Sequence, residues 1–565
     1  MKHRIVSLLV AAPLVVCACG NGAQNKGGTR GASEAGAGGS GAGGESTIGT
    51  GGGGSGAGGS AAGGSGAGGS GAGGSAAGGA GAGGSGGGWT AGDIDVAASV
   101  LEHHKHPSRD GVFVDAALTT TAAAKLARDA AFDGTVTGNV YAQPLFVASA
   151  NPAQHDVLVV ATESNQVYAL DAVSGAQVWA RALGPAVPRA NLPCGNIDPL
   201  GVTGTPVIDP ATGTIYLDAM TTGPKHQIHA LSLEDGTERA GWPVDVSSRA
   251  KAGSLSFDSS VQNQRGALAL VGGRVYVPYG GHWGDCGTYH GWVVGVSTTD
   301  PTDVIAWATA GRGAGTWAPS GVASDGASLY VATGNTMGAA AWSGGEAIIK
   351  LPLNLQFSNQ PADYFAPGDW QTLDSKDSDI GGTGPVLFDV SGATPTHLTI
   401  ALGKDTKAYL VNRDSLGGVG GQLDVRSVST NQIIQASAVY TVSAGTFVAF
   451  KGAGAGCPGA SGRLTALRIS AASPPKISVG WCAHTQGNSS PAVSMSNASG
   501  SDALVWQLGS DSRLRAFDAA TGAVVFDGGG AGDTIGSYSY LITPIIAKGR
   551  VYVATHGKIA AFAPR

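Results

Sequence analysis

Residues 167–179 read VYALDAVSGAQVW, and residues 514–526 read LRAFDAATGAVVF. Each is an alternating apolar strand, an Asp that opens a tight Ser/Thr-Gly turn, and a second strand closing on a large aromatic ring. Working outward from the first stretch, YAQPLFV begins at Tyr141 and VLVVAT follows, so the unit runs from Tyr141 to Trp179. The same order recurs down the chain. TPVID, TIYLDA and IHALSLEDGTERAGW end at Trp242, and RGALAL, VYVPYG and WVVGV end near Trp307. APSGVA, LYVATG and EAIIKL come next, then GPVLFD, LTIALG and AYLVNRDSLGG. ASAVYT, TFVAFK and LTALRI lead to Trp481, SPAVSM and ALVWQL lead to Phe526, and TPIIAK, VYVATH and KIAAFA end the chain.

A recurring unit of roughly 45–65 residues that cannot bury its apolar face alone must stack on its neighbours. Eight units of four short strands predict an all-β chain: an eight-bladed β-propeller of four-stranded antiparallel blades. The eighth unit lacks its outer strand because the sequence stops at Arg565. An N-terminal strand is expected to supply it and close the ring, and GVFVDAAL at 111–118 is the candidate.

The 565 residues carry a formal net charge of −6, only 13% charged residues and 95 glycines. A mildly acidic chain with no Lys/Arg run lacks the footprint of nucleic-acid binding. Much of the Gly is local, and it divides the chain into three. Residues 1–19 read as a lipoprotein-type signal: Lys2, His3 and Arg4, then an apolar run from Ile5 to Val16, shorter than the ~20 residues that span a bilayer. The run closes on Cys17-Ala18-Cys19-Gly20, and Cys19 after the small Ala18 is the expected lipidation site. Residues 20–88 are a Gly/Ala/Ser-rich linker without core-forming side chains, expected to be disordered and, as a coil, spanning roughly 45–50 Å. Residues 89–565 are the propeller. These features predict an exported monomer anchored by lipid in the cell envelope, at the outer membrane or cell surface, with the linker holding the propeller clear of the bilayer.

The repeated strand, turn and terminal Trp resemble the pyrroloquinoline quinone (PQQ) repeat of quinoprotein alcohol dehydrogenases. That resemblance implies a central funnel holding PQQ on a Trp, with Ca²⁺ bound by a Glu, an Asn and the quinone, and an Asp as general base. Trp317 in GTWAPSGVASDG matches the stacking Trp, and Asn335 in YVATGN matches the calcium-binding Asn. Asp379 in DSDIGGTGPVLF matches the catalytic Asp, also a metal-site candidate, and Lys404 in ALGKDTKAYLVNRD matches the cation that contacts the quinone oxygens. Hard Ca²⁺ needs oxygen donors, and a carboxylate near a hydroxyl takes its proton. The chain departs from the pattern in HWGDCGTYHGW, where Cys286 occupies the position of the calcium-binding Glu and Asp285 stands one residue away as the substitute. The adjacent cysteine pair of many such enzymes is absent, and no C-x-x-C-H is present, so no covalent haem is expected.

Each position also has a structural alternative. Trp317 suits inter-blade packing like Trp179, Asn335 suits a turn cap, Asp377 and Asp379 suit a solvated loop, and Lys404-Asp405 suits a hairpin. His282, Asp285, Cys286, Tyr289 and His290 read as a polar loop at the funnel mouth, since their spacing fits no zinc pattern, and HHKH at 103–106 is a weak metal motif. Cys457 and Cys482 flank one strand pair and are expected to pair, which leaves Cys194 for Cys286. Two functional classes follow: a binding or scaffold propeller with a partly retained cofactor funnel, taking a protein or glycan partner, or a PQQ- and calcium-dependent alcohol or sugar dehydrogenase with an external electron acceptor. The lipid-anchored propeller of the outer-membrane barrel-assembly machinery carries this repeat without a cofactor.

Overall fold

The computed structural model describes residues 89, 91–455, 457 and 463–565; the signal, Cys19 and the whole 20–88 linker lie outside them. The chain is an eight-bladed β-propeller. Blade 1 is built of Leu145–Val147, Val157–Ala161, Gln166–Asp171 and Gln177–Ala182, hydrogen-bonded in that order. Blades 2 to 7 repeat this antiparallel meander, with inner strands Val207–Asp209, Ala269–Val271, Ala323–Ser324, Val386–Asp389, Ala438–Val442 and Ala492–Met495. In blade 8 the long strand Arg550–Pro564 pairs with Ile545–Ala547 at its start and with N-terminal strands over its later part.

The core lies between the blades. Val159 and Ala161 of blade 1 pack with Leu217 and Ala219 of blade 2. Val386 and Ile400 of blade 5 pack with Val439 and Val448 of blade 6. Leu158 and Tyr168 join Tyr552 and Phe562 where the ring closes. The repeated Trp and Gly belong to the same joint. Trp179 donates its indole N–H to the Leu233 carbonyl of blade 2 at 3.0 Å, and a Cβ on Gly236 would stand 2.7 Å from its ring. Trp481 does the same to Ala519 at 2.8 Å, with Gly522 beneath it. Both glycines have positive φ, so the turn after the Asp needs Gly for its backbone and for the ring it receives.

Ring closure by an N-terminal strand holds, but the strand differs from the expected one. Leu126–Arg128 pairs with Phe562–Pro564, and Gly134–Asn139 pairs with the stretch from His556 to Ile559. Val112–Val114, inside the expected 111–118 segment, instead runs parallel to Val493–Met495 on the inner edge of blade 7. Alternating apolar residues suit either edge. The chain reaches blade 7 from the ring's interior, so the inner edge is the one it meets.

Residues 94–118 form a plug along the inner edges of the blades. Ile208 donates to the Leu101 carbonyl, Ser324 to Pro107, Leu387 to Ser108, Val439 to Asp110 and Val493 to Gly111, each at 2.8–2.9 Å. Val100 and Phe146 exchange both backbone bonds, and Gly549 N–H donates to the Asp115 carboxylate at 2.7 Å. Arg109 is fully buried. It donates to the carbonyls of Val322, His103 and Leu268 and pairs with Glu102 at 2.8 Å. His103 and His104 are buried and stacked, and His104 Nδ1 lies 3.1 Å from the Arg109 carbonyl, so the 103–106 motif is part of the plug. Removing the guanidinium strands the Glu102 charge and three carbonyls. Arg109→Ala is expected to lower the unfolding free energy by about 3–5 kcal/mol, read from urea denaturation. A loss below ~1 kcal/mol would show that the plug is not integral to the ring.

Candidate functional site

A cavity of about 350 Å³ opens at the ring's interior. It is lined by Trp317, Asn335, Asp379 and Lys404, brought together from blades 3, 4 and 5, and by Asp285, Tyr289 and Arg265. Asp379 stands between the short helix Trp370–Lys376, whose end is capped by Asp377 in the left-handed conformation, and the turn Ile380–Gly382. Its carboxylate is 1% exposed. Oδ2 accepts from Trp317 Nε1 at 3.1 Å and pairs with Lys404 Nζ at 2.9 Å, while Oδ1 accepts from the Asn335 backbone N–H at 3.0 Å. The Lys404 backbone N–H donates to the Asp379 carbonyl at 2.7 Å. Gly334 allows this approach, because a Cβ there would meet Trp317 Nε1 at 2.8 Å and Asp379 Oδ2 at 3.0 Å. Lys404 also pairs with the exposed Asp377, and its ammonium lies 5.2 Å from the Trp317 ring centre. Burial raises the Asp379 pKa, and Lys404 offsets only part of that. Burial works against the Lys404 ammonium, but Asp379 and Asp377 outweigh it and the pKa rises.

Trp317 is therefore a cavity wall rather than an inter-blade wedge, and Asn335 contributes its backbone N–H to Asp379. Asp285 has positive φ and accepts from the Tyr289 hydroxyl at 2.6 Å. Next to it, Cys286 is joined to Cys194, and Cys457 is joined to Cys482, with Cα atoms 6.0 Å apart in both pairs. His282 lies 3.2 Å from the Ser260 carbonyl through Nε2, and burial lowers its pKa to about 4. His290 bonds the Thr309 carbonyl outside this cavity.

Calcium does not fit these donors. Both oxygens of Asp379 accept bonds from the protein, Lys404 supplies the cation beside it, and Asp285 is engaged by Tyr289. A Ca²⁺ ion takes 6–8 oxygen ligands, and among the described residues no three His, Cys, Asp or Glu side chains are grouped to hold a metal. A planar ring fits better, since the indole of Trp317 offers a face beside a fixed ammonium.

Two functional groups are not evident from the motifs. Glu346 is fully buried behind Asp379, has positive φ, and accepts from the Ile380 backbone N–H at 2.9 Å through Oε2. Its Oε1 has no partner. Arg265 lies at the cavity floor. Glu346 sits after a Gly-Gly pair at a strand start, and Arg265 is the lone charge leading into RGALAL; those are the only signals in the sequence.

A family model described as outer membrane protein assembly factor BamB matches residues 124–300. No curated protein sequence matches the chain. Among solved structures, the quinohemoprotein alcohol dehydrogenase ADHIIG of Pseudomonas putida HK5 superposes with a TM-score of 0.58 at 12% identity, covering 83% of this chain and 80% of that one. The quinohemoprotein alcohol dehydrogenase of Comamonas testosteroni gives 0.55 at 14% identity, covering 82% and 80%. A europium-containing methanol dehydrogenase gives 0.55 at 14% identity, covering 83% and 98%. The fold is the propeller that these structures share, and residues 124–300 match the PQQ-repeat family model. Among the described residues no helix is long and apolar enough to cross a membrane.

Burial, and then the Asp379 charge, pushes the Glu346 pKa from an ordinary 4.5 up to about 10. Below 4.5 the carboxyl is protonated in both folded and unfolded chains and contributes no pH slope. Between about 4.5 and about 10 the folded chain holds a proton that the unfolded chain has lost, so this group makes stability fall as pH rises. Glu346→Gln is expected to flatten the decline of melting temperature with pH across that window. An unchanged slope would show that Glu346 ionises normally.

Proposed function

We propose that this protein is an exported, lipid-anchored propeller whose funnel binds a small ring-bearing ligand without a divalent metal, and that it serves as a binding protein of the cell envelope. One observation carries the reading: the Asp379 carboxylate is tied to Lys404, Trp317 and Asn335 inside the protein. A general base must reach the substrate hydroxyl. Here the carboxylate is buried and neutralised by an ammonium, so its position serves to hold Lys404 over the wall of the cavity. The family description of an outer membrane assembly factor and the lipobox-like 16–20 stretch support the envelope location. Lipidation at Cys19 would hold the linker and propeller at a membrane surface.

The dehydrogenase reading draws on one observation, that Trp317, Asn335, Asp379 and Lys404 line a single cavity. The two readings separate on calcium. With full-length, detergent-solubilised protein, PQQ at micromolar concentration is expected to raise the melting temperature equally with Ca²⁺ and with chelator, since a ligand of the native state stabilises by mass action. The shift is expected to vanish in Lys404→Ala. A Ca²⁺-dependent shift, with quinone-dependent alcohol oxidation abolished in Asp379→Ala, would establish the enzyme instead. No shift under either condition would remove the planar-ring assignment. Cys19→Ser is expected to move the protein from the membrane fraction to the soluble fraction, and retention in the membrane would place the anchor elsewhere.

A further inference from the structure

The cavity floor carries a guanidinium that no side chain of the described residues bonds. Arg265 lies just before the inner strand Ala269–Val271 of blade 3 and lines both the cavity and a chamber of about 10 Å³ beneath it, whose other walls include His103 of the plug. Its Nε is sealed from solvent without a hydrogen-bond partner, and the guanidinium forms no hydrogen bond or ion pair with any described residue. Arg109 in the plug shows the contrast, because its Nε and both Nη groups are engaged. The residue is half-buried, so the rest of the guanidinium stays open to the cavity, where a carboxylate can pair with it.

Among the described residues no carboxylate forms a hydrogen bond or ion pair with this guanidinium. Glu163 is the acid beside Arg265, but its Oε2 accepts from the Gly201 N–H at 2.8 Å, and burial pushes its pKa up to about 7. It bonds the backbone rather than the guanidinium. Asp379, Asp377 and Asp285, the three carboxylates of the cavity wall, are engaged by Lys404 and Tyr289.

The remaining walls define the rest of the ligand. Ile434 is the one aliphatic side chain lining the cavity, which excludes a greasy occupant. Aromatic faces come from Trp317, Tyr289, Tyr540 and Trp283. Trp283 is 61% exposed at the rim, on the loop that the Cys194–Cys286 bond fixes. Side-chain amides come from Asn335 and Gln432. A guanidinium fork matches a carboxylate with two parallel hydrogen bonds. Rings with an apolar face and a polar edge suit a surface that is aromatic on one side and wet on the other.

We infer that the funnel binds a sugar acid, with its carboxylate on Arg265, its ring against the aromatic walls and its hydroxyls toward Asn335 and Gln432. This rests on the reading of the cavity as a ligand site. The test is calorimetric titration of the full-length, detergent-solubilised protein with D-glucuronate and with D-glucose, alongside PQQ titration followed by indole fluorescence. Glucuronate is expected to bind at least 10-fold more tightly than glucose. Arg265→Met should erase that preference, and Arg265→Lys, which keeps the charge and loses the fork, should retain only part of it. Thermal melts of both variants confirm that they are folded. Equal affinity for the two sugars, or a preference that survives in Arg265→Met, overturns the inference. Quenching by PQQ with no binding of glucuronate overturns the sugar-acid assignment while the ligand funnel stands; no response to PQQ or to either sugar overturns both.

Discussion

The inner strand of every propeller blade leaves one row of backbone groups facing the axis, and a buried N–H or C=O without a partner is costly. Residues 94–118 resolve this for the whole ring. Their carbonyls accept from Ile208, Ser324, Leu387, Val439 and Val493, while the Arg109 side chain reaches the carbonyls of Leu268 and Val322 in the approaches to blades 3 and 4. One segment therefore touches all eight blades and converts an open axis into a funnel with a floor. The position of that floor places Arg265 between the plug and the cavity, and the rest of the site is arranged above it.

The repeat was legible because it encodes the joint between blades rather than the blade alone. Trp179 and Trp481 each close one unit and rest on the turn glycine of the next, so both residues of a contact recur along the sequence in the same order. Ring closure was legible in kind, since an eight-unit chain that ends one strand short must borrow a strand. Its identity was not. The stretch 111–118 has the apolar alternation of a strand, whereas Gly134–Asn139, which pairs at the outer edge of blade 8, reads as Gly and Thr with a single Val and resembles a loop. The Arg550–Pro564 strand decides the matter through its backbone, and residue type carries little of that information.

The site divides along the same line. Trp317, Asn335, Asp379 and Lys404 come from blades 3 to 5, and their order along the chain was enough to gather them before any geometry was known. Glu346 and Arg265 carry no motif. Their importance lies in burial and in missing partners: Glu346 Oε1 and Arg265 Nε both lie out of solvent with nothing to bond. A sequence shows that a charge exists, but its desolvation depends on the packing of elements far apart in the chain. The reading of Asp285 as a metal ligand suffered similarly. The resemblance set Asp285 beside a calcium position, while the fold gives Asp285 to Tyr289; Cys286 pairs with Cys194, as the cysteine pattern had it.

Formal charge alone would describe the cavity wall as acidic, with Asp285, Asp377 and Asp379 against Arg265 and Lys404. A ligand does not meet formal charges; it meets whatever the protein has left unsatisfied. Each carboxylate has a donor within the protein, and the Lys404 ammonium is shared between two of them. Among the charged groups lining the cavity, the Arg265 guanidinium is the one that no other described side chain bonds. The likeness to quinoprotein dehydrogenases is one of scaffold, and the chemistry of a site follows its unsatisfied groups rather than its fold. In this propeller those groups favour an anion at the floor over a cation in the wall.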